Sequence, residues 1–123
     1  GIPTRSNAGA RRPMRFEDLF AIQMIVDEQR PQFEKQAREL FDQLTPVQRF
    51  FAWAQYHDWR HTKIAEHLNV GLSRVSNLQH QYILRFRKAI DPTWTHEELR
   101  AFFEVWYCLL HHEPRPTLPE ARS

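Results

Sequence analysis

Short hydrogen-bonding side chains recur on one face of the segment 72–88, and their chemistry suits the recognition of base edges. This face carries Ser73, Ser76, Asn77 and His80, and it contains no carboxylate. Hydroxyl, amide and imidazole groups donate and accept the hydrogen bonds that base pairs present in the DNA major groove. A helix lying in that groove needs such groups near its start, with cations around them for the phosphates.

Positive charge is concentrated around this face. Residues 45–90 contain seven Lys or Arg and two Asp or Glu, a net charge of +5, whereas residues 14–44 and 91–123 each have a net charge of −3. A polyanion would be attracted to the central segment and repelled by both ends, which is typical of nucleic-acid binding. We expect phosphate contacts from Arg49, Arg60, Lys63, Arg74, Arg85 and Lys88.

Two helices joined by a tight turn would position these side chains. Their apolar positions are Ile64, Ala65 and Leu68 in the first helix, and Val75, Leu78, Tyr82 and Phe86 in the second. This spacing seats one helix on the other. Asn69 tolerates the left-handed backbone that a sharp exit requires, and Gly71 permits a turn two residues later.

This segment resembles a known DNA-binding family. The residues Ile64-Ala65, Leu68, Asn69-Val70, Val75-Ser76 and Leu78 resemble the helix-turn-helix pattern of bacterial and phage transcription regulators. With residues 44–49 included, residues 44–88 are similar to the sigma-factor region 4-like DNA-binding domain. Asn69 stands where that family most often has Gly, and Gly71 stands where a Ser or Thr usually caps the second helix. The resemblance implies that Leu72, Ser73, Ser76, Asn77 and His80 face the bases. An ordinary helical hairpin in a small bundle is the alternative.

The remaining pattern predicts an all-α fold, a compact bundle of about six helices. Pro31 is expected to separate a first helix, ending near Gln29, from a second one, although a single kinked helix is the alternative. Thr45 and Thr95 each begin a capping box that starts a later helix. We expect one helical domain at 14–112, with the helix-turn-helix at 62–88, and a loose proline-rich tail at 113–123. Residues 1–13 should be disordered, as a basic arm or an expression remnant.

Apolar faces at both ends of the domain are candidates for a dimer interface. A single recognition helix reads only a few base pairs, so two copies on a two-fold site would be needed for specificity. The two acidic end segments supply the apolar residues for this contact: Phe16, Leu19, Phe20, Phe102, Phe103, Trp106 and Leu110.

Other chemistries find little support in the sequence. The seven histidines and Cys108 lack the paired spacing of a structural zinc site, so no metal or cofactor is expected. No phosphate-binding loop or nucleophile motif suggests an enzyme, and we expect no catalytic residue. Hydrophobic content of 41% indicates a folded protein. The single cysteine suits the reducing cytoplasm, where we expect the chain to be associated with the nucleoid.

These observations predict a sequence-specific double-stranded DNA-binding transcriptional regulator that acts as a homodimer, without a membrane partner. A repressor is favoured over an activator because it needs only to occupy its site. Two alternatives are a sigma-like factor that binds sigma or RNA polymerase, and a phage DNA-packaging (small terminase-like) or plasmid-maintenance adaptor.

Overall fold

The computed structural model describes residues 15–118, which form five helices and no strand. The helices are α1 (Phe16–Gln43), α2 (Pro46–Tyr56), α3 (His61–Leu68), α4 (Leu72–Ala89) and α5 (His96–His112). The predicted all-α class is therefore confirmed, with five helices in this part of the chain where about six were expected. The expected disorder of residues 1–13 lies outside the described residues, as does the end of the tail, residues 119–123.

The difference in helix number comes from Pro31, which lies inside α1. A proline within a helix removes one backbone hydrogen bond and costs about 3 kcal/mol. Here the Pro31 side chain is exposed, while Ile22 and Val26 before it and Phe33 and Ala37 after it are buried on one continuous face. Packing of that face keeps a single helix of 28 residues, so the predicted separation into two helices is wrong.

Both predicted capping boxes are present. The Gln48 N–H donates to Thr45 Oγ1 at 3.2 Å, and the Thr45 N–H donates to Gln48 Oε1 at 3.1 Å. The same reciprocal pair joins Thr95 and Glu98, at 3.1 and 2.7 Å. Each pair satisfies two backbone donors that a helix start leaves open, which fixes the first residue of α2 and of α5.

The inner face of α5 lies at the centre of the core. Phe102 and Trp106 are fully buried, and Leu110 is only 1% exposed. Phe102 packs edge-on against Phe33 of α1, while Trp106 packs against Phe41 of α1 and Phe86 of α4. The expectation that Phe102, Trp106 and Leu110 form a dimer interface is therefore corrected, because these side chains have no surface to offer a second chain.

Residues 113–118 contact the helices, where a loose tail was expected. Glu113 forms a 2.8 Å ion pair with Arg38 of α1, and its carbonyl accepts a hydrogen bond from Trp53 Nε1 at 3.1 Å. This ion pair raises the pKa of Arg38 above its ordinary value. Leu118 packs against the core. The first part of the tail thus bridges α1 and α2.

A membrane-spanning helix would have to be long and apolar throughout. No helix within residues 15–118 meets both conditions.

Candidate nucleic-acid interface

The turn between α3 and α4 is made by Asn69. Its backbone is left-handed, with φ 58° and ψ 48°, as its residue type predicted. The Val70 N–H donates to Ala65 O at 3.0 Å and the Asn69 N–H to Glu66 O at 3.2 Å, so two of the last four carbonyls of α3 are satisfied. Gly71 has φ −82°, which any residue adopts, so the turn does not depend on the conformational freedom of glycine.

The two helices pack through the apolar positions that the sequence pattern indicated. Ile64 and Ala65 of α3 and Val75 and Leu78 of α4 are all buried. Farther along α4, Gln81 Oε1 accepts a 3.3 Å hydrogen bond from Gln48 of α2. The inner side of α4 is therefore held by both α2 and α3, which leaves its opposite side toward solvent.

All five predicted base-reading residues lie on that solvent side. Leu72, which is 53% exposed, is joined there by exposed Ser73, Ser76, Asn77 and His80. Ser73, Ser76, Asn77 and His80 have no side-chain hydrogen bond within residues 15–118. The structure thus brings together a continuous face of unengaged donors and acceptors over the first turns of α4.

Three of the predicted phosphate-binding cations are exposed at the starts of α3 and α4. Arg60 directly precedes α3, Lys63 lies in its first turn, and Arg74 lies in the first turn of α4. Lys88 is also exposed, but it follows Arg74 by 14 residues, or about 21 Å along the helix. Lys88 therefore lies at the other end of α4 from the residues predicted to read bases.

Two other predicted phosphate contacts, Arg49 and Arg85, form hydrogen bonds to the end of α1. Arg49 donates from Nε to Phe41 O at 2.9 Å and from Nη2 to Asp42 O at 2.8 Å. Arg85 donates to Gln43 O at 3.0 Å. All three carbonyls belong to the last turn of α1, which has no basic residue of its own. Arg49 and Arg85 thus cap this helix end, and each keeps further guanidinium N–H groups, so their phosphate contacts stay a prediction.

A cationic aromatic cluster near Trp59 was not predicted. Lys63 Nζ lies 4.1 Å from the centre of the Trp59 ring, and Arg115 Cζ lies 5.0 Å from it. Arg115 also lies 5.4 Å from the Trp53 ring. Cations over indole rings are attracted by the ring quadrupole. The tail thus adds a cation beside α3, and its proline-rich sequence has no periodicity that could have indicated this contact.

The metal-binding types of side chain and the carboxyl group of Asp91 form no second candidate site in the described part of the chain. Within residues 15–118, no three His, Cys, Asp or Glu side chains come together as a metal site would require. Asp91 accepts hydrogen bonds from the Thr93 backbone N–H at 2.9 Å and hydroxyl at 2.7 Å, which lower the pKa of its carboxyl group. These two bonds shape the turn that follows α4.

The comparisons with known proteins assign this chain to no family. No protein-family model, curated protein or solved structure is significantly similar to it. What the chain does is therefore inferred from its own side chains and their arrangement.

Proposed function

We propose that this chain is a sequence-specific double-stranded DNA-binding transcriptional regulator that inserts the first half of α4 into the major groove. The observation that carries this proposal is the exposed polar face of α4, on which Ser73, Ser76, Asn77 and His80 form no side-chain hydrogen bond to any residue of 15–118. An α-helix fits the groove, which is about 12 Å wide, and these groups match the donors and acceptors of base edges.

The charges near this face support the same proposal. Arg74 lies in the first turn of α4, next to Ser73, where it would bind a phosphate flanking the bases being read. Arg60 and Lys63 at the start of α3 are exposed and add further phosphate contacts. Arg49 and Arg85 also cap α1, so a phosphate contact from either would share its guanidinium with the carbonyls of that helix end.

Specificity among many genomic sites favours two copies of the chain. Each discriminated base pair contributes about 1 to 3 kcal/mol, and one α4 reaches only a few base pairs. A homodimer would place two α4 helices about 34 Å apart, one turn of B-DNA. We propose that this dimer acts as a repressor, because occupying a site requires no further contact with RNA polymerase.

Selection of bound sequences from a random double-stranded DNA pool tests this proposal. We expect enrichment of a two-fold site, with half-site centres separated by about one helical turn. The matched control is an Asn77→Ala, Ser76→Ala double variant, which keeps α4 and all cations but should lose the enrichment. No enriched sequence with the wild-type chain would contradict sequence-specific binding.

Two further measurements separate the proposed regulator from its alternatives. Co-purification with RNA polymerase at stoichiometric ratio would indicate a sigma-like factor instead. A ring of many copies with weak sequence preference would indicate a DNA-packaging adaptor. A dimer that selects a two-fold site without polymerase supports the regulator.

A further inference from the structure

The first three turns of α1 expose a cluster of large apolar side chains. Phe16 is 78% exposed, Leu19 53%, Phe20 59% and Met24 47%. The buried face of α1 begins at Ile22 and packs on the core, whereas Phe16, Phe20 and Met24 lie on another side of the helix and Leu19 is exposed one turn before Ile22. These four residues, termed here the α1 knob, therefore offer apolar surface that the described part of the chain leaves uncovered.

A second apolar surface, left open by residues 15–118, is a groove of about 620 Å³ between α2, α4 and α5. Its walls include the partly or largely exposed aromatic and aliphatic side chains of Tyr56, Ile83, Phe103 and Tyr107. Ile83 is 40% exposed and Tyr107 45%. Exposed apolar surfaces of this kind mark sites where another protein segment or ligand binds.

The knob cannot fill this groove within one chain. None of the residues that line the groove belongs to α1. The knob is part of a continuous 28-residue helix that is fixed to the core by its buried face beyond residue 22. A helix held in this way cannot fold back onto α2 and α4, so the two surfaces can meet only between different copies.

The charges of the two surfaces are complementary. Arg87 is the one charged residue that lines the groove in the described part of the chain. Glu17 lies within the knob segment, and Asp27 follows Phe16 and Phe20 at a helical spacing that places it on the same side of α1. An apolar helix face with carboxylates beside it suits an apolar groove with a cation at its edge.

We propose that the α1 knob of one copy docks in the α2, α4 and α5 groove of a second copy, and that the reverse contact forms at the same time. A two-fold axis relates the two contacts, so the assembly closes as a dimer. The inference rests on the proposed function for its biological role, since the groove wall includes the distal half of α4. Docking there would fix the spacing between the two α4 helices.

Sedimentation equilibrium tests this reciprocal knob-in-groove contact. Because the measurement is made without DNA, its result does not depend on whether the chain binds DNA. Wild type should have twice the 14.9 kDa chain mass. Phe20→Glu in the knob and Ile83→Glu in the groove should each give monomers with wild-type helical circular dichroism. The matched controls are Gln32→Glu, away from the knob on α1, and Leu84→Glu, which adjoins Ile83 but does not line the groove. Both controls should remain dimers.

Mixing the two monomeric variants distinguishes a knob-in-groove contact from an interface in which each surface meets the same surface of the other copy. In a mixed pair, the intact knob of the Ile83→Glu chain meets the intact groove of the Phe20→Glu chain, so one of the two contacts is restored. We expect an equimolar mixture to form dimers, weaker than wild type, although neither variant does so alone. If Ile83→Glu loses helicity, Tyr107→Glu replaces it as the groove variant.

A monomeric wild type at concentrations of tens of micromolar would overturn the proposal. Dimers that persist in both the knob and the groove variants would also overturn it, as would two monomeric variants whose mixture stays monomeric. A wild-type chain that forms this dimer but does not bind DNA would instead contradict the proposed function alone.

Discussion

The indole N–H of Trp106 donates a 2.9 Å hydrogen bond to the phenolic oxygen of Tyr82. Trp106 belongs to α5 and is fully buried, and Tyr82 belongs to the inner face of α4 and is 9% exposed. The bond therefore joins the centre of the core to the helix that carries the proposed base-reading face. Burial raises the pKa of Tyr82 to about 12, which keeps its hydroxyl neutral.

The raised pKa of Tyr82 predicts a loss of stability at alkaline pH. The unfolded chain releases this proton near pH 10 and the folded chain near pH 12, so the stabilisation is complete below pH 10 and is lost as the pH rises to 12. Between pH 9 and 11.5, the free energy of unfolding in urea should fall by about 2 kcal/mol more for wild type than for Tyr82→Phe. An equal fall in both proteins would contradict this role for Tyr82.

Sequence reasoning succeeded where the structure follows local rules. The capping boxes at Thr45 and Thr95 and the left-handed Asn69 are set by residues within three or four positions of one another. The apolar stripes of α3 and α4 also follow from helical periodicity alone. These features fix where the helices begin and end and which side of α4 is exposed.

The features that the sequence did not indicate are interactions between residues far apart in the chain. Pro31 stays within a helix because both of its flanks pack on the core, which its local sequence does not show. The spacing of Trp106 identified an apolar face but not whether that face meets the core or another chain. Arg49 and Arg85 contributed to the net positive charge, yet both interact with the end of α1, whose position depends on the fold.

The capping role of Arg49 predicts a loss of stability when its guanidinium is removed. Arg49→Gln would leave two carbonyls in the last turn of α1 without their charged donor, so unfolding in urea should become easier by about 1 to 3 kcal/mol. Arg74→Gln, the matched exposed control, should change stability by less than about 0.5 kcal/mol. A salt dependence of DNA binding that is altered in Arg49→Gln would show that Arg49 contacts phosphate as well as capping α1.

The left-handed backbone at Asn69 predicts which replacements the turn accepts. Asn69→Gly should leave the free energy of unfolding nearly unchanged, whereas Asn69→Val should lower it by about 1 to 2 kcal/mol. Asp58, with φ 63° after α2, is a second such position, and Asp58→Gly should likewise be tolerated. Thermal unfolding of the three variants checks this, and a stable Asn69→Val would show that the turn can adopt another conformation.

The arrangement of α4 predicts that base contacts and phosphate contacts can be separated by mutation. Asn77→Ala should cost about 1 to 3 kcal/mol on the selected site and leave binding to unrelated DNA unchanged, because its exposed amide is proposed to read a base. Arg74→Ala should weaken binding to every DNA similarly and lower the salt slope by about 1, because one phosphate contact is lost. Leu84→Ala, exposed on the same helix but beyond the base-reading face, serves as the control and should change neither quantity. Fluorescence anisotropy over a range of salt concentrations measures both effects, and an Asn77→Ala variant with wild-type affinity and site preference would show that α4 does not read bases in the groove.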